Sequence, residues 1–120
     1  MKKPTIHEPC VERLDEFLGL MRARLNTSFY KYGPAETNAR MQRDQGRRML
    51  DGVAPRIEKY DTTGNTEWLV DAANFIFLEW CFPAHPEAHF RATDSHESPG
   101  APALTILEYE ALDRENGFRK

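Results

Sequence analysis

Residues 64–80, GNTEWLVDAANFIFLEW, constrain the fold more than any other segment of the chain. Apolar residues occupy most positions, which predicts a helix covered on most of its sides. The same segment carries Glu67, Asp71 and Asn74, and at 100° per residue these three share one face. An isolated buried carboxylate is costly. The segment therefore predicts a cation against this face, supplied by an arginine, a lysine or a metal.

The rest of the chain also shows helical periodicity. Apolar residues recur at spacings of three and four, the pattern of a helix with one buried stripe. Gly33 and Pro34 end the first helix, and Gly52 and Pro55 predict a break or kink in the second. A turn is expected over residues 61–65, with Asn65 or Thr66 capping the next helix. We expect helices over residues 9–32, 35–60, about 65–82 and about 103–116.

Residues 83–102 form the one long segment without helical periodicity. It contains four prolines and three histidines, and irregular segments of this length are usually functional or mobile. One interpretation is a lid in which Arg91 and His96 close over a polar ligand; another is a segment that wraps the domain or contacts a second subunit. A zinc site from His85, His89 and an acid is a weaker alternative.

Length and composition indicate an ordinary globular chain. The 120 residues, 40% of them hydrophobic, predict a single all-α domain over residues 1–120, a bundle of four to five helices with an irregular loop at 83–102. No stretch approaches the ~20 apolar residues of a membrane span, and no signal peptide is visible, so a cytoplasmic location without a membrane partner is expected. A bundle this small with so apolar a helix has surface left to bury, which predicts a homodimer or higher homo-oligomer.

Charge is unevenly distributed along the chain. Residues 22–48 contain seven bases and two acids, whereas residues 61–120 contain eleven acids and four bases. Arg40, Arg43 and Arg47 fall at i, i+3 and i+7 and would form one stripe on a continuous helix. Guanidinium groups bind phosphate bidentately, and the nearby Tyr30 and Tyr32 suit a sandwich around a nucleobase. The alternative is a solvated face paired with acids of the C-terminal half.

Two short motifs carry a family resemblance. TEWLVDAANF resembles the Glu-Glu-Leu-x-Asp helix of the MazG-like, all-α nucleoside triphosphate pyrophosphohydrolases, and FYKYGP is similar to a KYG found in small phage-encoded proteins of that type. The resemblance covers about residues 14–82. It implies a helical bundle that dimerises or tetramerises and Mg²⁺-dependent removal of pyrophosphate from nucleotides. It also implies that Glu67 and Asp71 are metal ligands.

The chain departs from that family where a second acidic pair is needed. Residues 35–60 contain no Glu-x-x-Glu, and Glu58 with Asp61 is only an approximate substitute. Two acids alone make a weak Mg²⁺ site, and phosphoryl transfer depends on a well-positioned metal. In the plain structural alternative, Glu67 stabilises the start of the helix and Asp71 pairs with an arginine of the second helical region.

These observations favour binding of a phosphorylated nucleotide over its hydrolysis. The expected ligand-binding residues are Tyr30, Tyr32, Arg40, Arg43, Arg47, Asn74, Arg91 and His96. In a phage, such a protein would sequester a host nucleotide signal. Two alternatives remain: a Mg²⁺-dependent pyrophosphohydrolase using Glu67 and Asp71, and a protein-interaction module. Nucleic acid is a less favoured partner because the net charge is −3.

Overall fold

The computed structural model describes residues 10–91 and 106–116, and within them it confirms an all-α fold, with helices and no strand. A short 3₁₀ turn, Met49–Gly52, precedes the third helix. The helices are α1 (Cys10–Tyr32), α2 (Ala35–Asp44), α3 (Val53–Thr63), α4 (Glu67–Cys81) and α5 (Ile106–Asn116).

Internal contacts divide the chain into two units. One unit is Glu12–Ala88, which holds nearly all of α1 together with α2, α3 and α4. The other comprises Met1–Val11 and His89–Lys120 and holds α5, whose Leu107 and Leu112 side chains are exposed. The start of α5 was expected at residue 103; residues 103–105 lie outside the described residues. No described helix is both long enough and apolar enough to cross a membrane.

Glycine and proline set most helix ends at the expected places. Gly33 follows α1 with a φ of 85°, and its N–H donates to the Phe29 carbonyl at 2.9 Å. Gly64 ends α3 in the same left-handed conformation, which glycine adopts without steric cost. The expected turn over residues 61–65 is shorter than predicted, because α3 continues to Thr63. The Asn65 side chain accepts from the Glu67 N–H at 3.0 Å and so caps α4.

The second helical region breaks earlier than predicted. Helix α2 ends at Asp44, and Gly46 has a φ of 75°, which a continuing helix does not allow. Pro55 does not kink a helix, since it lies in the first turn of α3, where its missing N–H leaves no hydrogen bond unmade. The prediction that Arg40, Arg43 and Arg47 form one continuous stripe is therefore wrong, because Arg47 lies beyond the end of α2.

Helix α4 is the centre of the Glu12–Ala88 unit. It packs against α3 and the 3₁₀ turn on one side. On another side the Asn74 amide donates to the Met21 carbonyl and Arg24 reaches Asp71.

The buried core among the described residues is small. It consists of Ala39, Val70, Ala72 and Asn74, and no large side chain is fully buried. Helix α4 is covered at most of its positions, as expected, but one part of its surface is open: Trp80 is 70% exposed, and Ile76 and Phe77 are also exposed. The apolar stripes of the other helices are likewise only partly covered. Exposed members of those stripes are Leu14, Leu18, Met41 and Ile57.

Candidate functional site

The acids of α4 meet two arginines from two different helices. Asp71 accepts from Nε of Arg56 on α3 at 2.8 Å and lies 3.5 Å from Nη2 of Arg24 on α1. Nη1 of Arg24 also donates to Glu67 at 2.8 Å. Two guanidinium groups thus balance two carboxylates in one connected network. The side chains of Asp71 and Arg56 are largely covered, whereas Arg24 and Glu67 are open to solvent.

Local packing determines the position of Arg56. Its guanidinium lies 4.1 Å from the centre of the Phe75 ring, and Nη1 donates to the Gly52 carbonyl at 3.1 Å. A Cβ at Gly52 would lie 2.6 Å from Phe75 Cδ1, so only glycine allows the 3₁₀ turn to approach α4 this closely. The Phe75 ring and the Gly52 carbonyl together hold Arg56 towards Asp71.

Asn74 extends the polar face of α4 into the buried interior. The residue is 4% exposed, and its Nδ2 donates to the Met21 carbonyl at 3.1 Å. Its Oδ1 is buried and accepts no hydrogen bond from the described part of the chain. A buried acceptor without a donor costs about 1–3 kcal/mol.

The network of Arg24, Arg56, Glu67 and Asp71 offers few ligands to a metal ion. Within residues 10–91 and 106–116, no three His, Cys, Asp or Glu side chains are grouped so as to hold a metal. Glu67 and Asp71 are two hard oxygen ligands, but both already accept from guanidinium groups. Mg²⁺ commonly uses one or two carboxylates together with substrate phosphates. The two acids therefore suit an ion that arrives with a phosphorylated ligand better than a resident ion.

The three arginines expected to bind phosphate are not brought together as one surface. Arg40 is exposed and makes no hydrogen bond or ion pair with the described residues. Arg43, one turn further along α2, donates to the Pro83 carbonyl at 3.4 Å. Arg47 bonds Gln45 in the loop after α2. Within the described ranges, none of the three is paired with an acid, unlike Arg24, Arg48 and Arg56.

The expected sandwich between Tyr30 and Tyr32 does not form, because both residues lie on helix α1. Residues two apart on a helix are about 200° apart and cannot face each other. Tyr32 falls on the side of α1 that carries Met21 and faces α4, about 12 Å along the axis from Arg24 by helical rise. Tyr30 falls on the opposite side and is 86% exposed.

The remaining candidates lie at the C-terminal side of the chain. Arg91 is exposed, and His96 lies outside the described residues. His85, considered for zinc, accepts from the Glu87 N–H through Nδ1 at 3.0 Å.

Sequence reasoning did not single out Arg24 and Arg56. The only available signal was the need of Asp71 for a cation, which does not say which of the chain's arginines supplies it.

Comparisons with protein-family models, curated proteins and solved structures find no match to this chain.

Proposed function

We propose that the protein binds a phosphorylated nucleotide at the network of Arg24, Arg56, Glu67 and Asp71, and that it retains the nucleotide rather than hydrolysing it. The observation that carries this proposal is the convergence of two arginines, from α1 and α3, on the single carboxylate of Asp71. Guanidinium groups from different helices aimed at one anionic position form the arrangement that phosphate recognition uses.

The surrounding groups suit the remaining parts of a nucleotide. Tyr32 is exposed on the α4-facing side of α1 and offers a ring on which a base can stack. Asn74, which the sequence suggested as a ligand contact, is 4% exposed and its Oδ1 is fully buried, so it lies behind the network and not on the surface that a nucleotide reaches. In the free protein, Glu67 and Asp71 keep both guanidinium groups in position, which lowers the entropic cost of ordering them when the phosphate binds.

The same contacts support the proposal of binding without turnover. Hydrolysis in the MazG-like family, which the chain resembles in its motifs, needs acids on two helices. Here the acids of α4 face arginines of α1 and α3. A phosphate would compete with these carboxylates for the guanidinium groups. A Mg²⁺ ion carried by the nucleotide would relieve that competition by taking up the displaced carboxylates.

A thermal-shift series tests the binding site. Nucleoside mono-, di- and triphosphates are added to the wild-type protein with and without Mg²⁺, and a ligand that binds the folded state raises the melting temperature. Arg24→Gln removes an exposed guanidinium and should weaken binding roughly ten- to hundred-fold, the effect of losing a charge-assisted pair. Arg40→Gln is the matched control and should leave the affinity unchanged.

Two results would overturn the proposal. One is the absence of any shift with all nucleotides in the wild-type protein, which would leave the network as an ordinary connection between helices. The other is a loss of affinity in the Arg40→Gln variant but not in Arg24→Gln, which would move the phosphate to α2. Chromatography of the incubated nucleotide checks retention, since release of pyrophosphate would favour the Mg²⁺-dependent enzyme instead.

A further inference from the structure

We infer that Glu79 is a positioning residue: its carboxylate fixes the 3₁₀ turn that holds Arg56, and it ties that turn to the chain after α4. Oε1 of Glu79 accepts from the Leu50 N–H at 3.4 Å, and Oε2 accepts from the Ala84 N–H at 2.7 Å. The consequence for ligand binding rests on the proposed function, whereas the positioning itself does not.

Glu79 differs from the other acids of α4 in its partners. Glu67 and Asp71 each pair with arginine, whereas no base of the described residues forms a salt bridge with Glu79. The Glu79 residue is partly buried, and a carboxylate withdrawn from water without a cation needs N–H donors instead. Two backbone N–H groups meet this need, one on each oxygen, from segments that precede and follow α4 in the sequence.

The 3₁₀ turn Met49–Gly52 is held by two successive turns of α4. Phe75 lies against Gly52. Glu79 is four residues further along α4, and therefore on the same side of the helix, where it accepts from Leu50. The aromatic contact limits how closely the turn approaches α4 but directs no polar group. The hydrogen bond to Glu79 is directional, so it fixes how the turn is oriented on α4.

The orientation of the turn determines where Arg56 lies. The Gly52 carbonyl, at the end of the turn, accepts from Nη1 of Arg56 at 3.1 Å, while Nε of Arg56 donates to Asp71 at 2.8 Å. When the turn loses Glu79 and shifts, it carries this carbonyl with it, and the guanidinium loses one of the two acceptors that hold it. Glu79 therefore acts on the pair of Arg56 and Asp71 through the backbone, without touching either side chain.

The chain after α4 is tied to the same carboxylate. The peptide group between Pro83 and Ala84 is held at both of its polar atoms: its N–H donates to Glu79, and its carbonyl accepts from Nη1 of Arg43 on α2 at 3.4 Å. A carboxylate has two acceptor oxygens, one for each N–H group, whereas glutamine offers one acceptor oxygen and one NH₂ donor. One ionised side chain thus joins α4, the turn before α3 and the segment that follows α4.

Solution NMR of the full chain tests the positioning. The Arg56 Nε–H resonance is identified by its loss in Arg56→Gln, and its exchange with water is measured in each variant. In Glu79→Ala this exchange should be about fivefold faster or more, the effect of one lost hydrogen bond. Glu79→Gln, which keeps one acceptor, should fall between Glu79→Ala and the wild type. Glu36→Ala is the matched control, since it removes the same charge from an exposed position on α2, and it should leave the exchange unchanged.

The Asn74 side-chain amide separates positioning from a general loss of structure. This amide donates to the Met21 carbonyl on another side of α4, so its exchange should not change in Glu79→Ala when only the turn moves. Unchanged exchange at Arg56 would overturn the inference, as would equal acceleration at Arg56 and Asn74. Where Glu79→Ala does not fold, Glu79→Gln supports the same comparison.

Nucleotide affinity is measured separately, with a nucleoside triphosphate as the probe. Glu79→Ala should weaken binding about fivefold, and Glu36→Ala should not weaken it. A wild-type protein that binds no nucleotide would refute the proposed function, while the NMR comparison would still decide the role of Glu79. Normal affinity in Glu79→Ala would overturn the inference and leave the proposed site in place.

Discussion

At the scale of single residues, the acids of α4 show how burial and charge are reconciled. Asp71 is largely covered, and a carboxylate in that position is stable only with partners. It has two, Arg56 and Arg24, at 2.8 and 3.5 Å. Glu67 has one partner, Arg24, and its side chain is more exposed to solvent. The two acids therefore differ in their contribution to stability, although they occupy the same face of the same helix.

Replacing the two acids one at a time should expose this difference. Asp71→Asn leaves Arg56 covered without its carboxylate and should lower the free energy of unfolding by about 1–3 kcal/mol. Glu67→Gln, at an exposed pair, should cost under about 1 kcal/mol. Urea unfolding at one fixed protein concentration measures both values. Equal losses would show that Asp71 does not depend on its two arginines.

Asp51 provides a pH-dependent prediction at the same scale. Hydrogen bonds from the Arg48 side chain, and then from its backbone N–H, hold the pKa of the Asp51 carboxyl below its ordinary value of 3.8. A lowered pKa in the folded state means that this stabilisation is present above pH 3.8 and is lost as the pH falls through the folded-state pKa. Carbon NMR should give a midpoint below 3.8, and Arg48→Gln should raise it. A wild-type midpoint at or above 3.8 contradicts the contact.

At the scale of elements, the sequence predicted helices better than it predicted their contacts. Apolar spacing and the Gly33–Pro34 pair located α1, because both act through local backbone geometry. The end of α2 was placed too late, since Gly46 is a single residue in an otherwise helical pattern. The arginine partners of Asp71 were not predictable, because they depend on how α1 and α3 pack on α4. That register is set by long-range contacts, which periodicity does not contain.

The 3₁₀ turn before α3 gives a test of packing between elements. Gly52→Ala places a Cβ 2.6 Å from Phe75, so the ring beneath Arg56 must move. We expect a loss of about 1–3 kcal/mol, as in other overpacked sites. Gly19→Ala is the control: it lies inside α1 with nothing within 4 Å of the added Cβ. It should raise stability by about 0.5–1 kcal/mol, and chemical denaturation should give the two changes opposite signs.

At the scale of the whole molecule, the homo-oligomer predicted from the sequence would make folding and association a single process. Among its described residues the Glu12–Ala88 unit buries few side chains, and apolar residues of α1 and α4 remain exposed. Where a chain completes its core only in a dimer, dissociation and unfolding occur together. Stability then depends on protein concentration, which distinguishes this arrangement from a self-sufficient monomer.

The melting temperature should therefore fall on dilution. A tenfold change in concentration corresponds to about 1.4 kcal/mol, and for a unit of this combined size each kcal/mol shifts the melting temperature by about 2–4 °C. We expect a decrease of roughly 3–5 °C per tenfold dilution, measured by circular dichroism from micromolar to submillimolar protein. Trp80→Glu, which puts a charge at the most exposed large apolar side chain of α4, should lose this dependence. A wild-type melting temperature that does not change with protein concentration would show that each copy is stable without a partner.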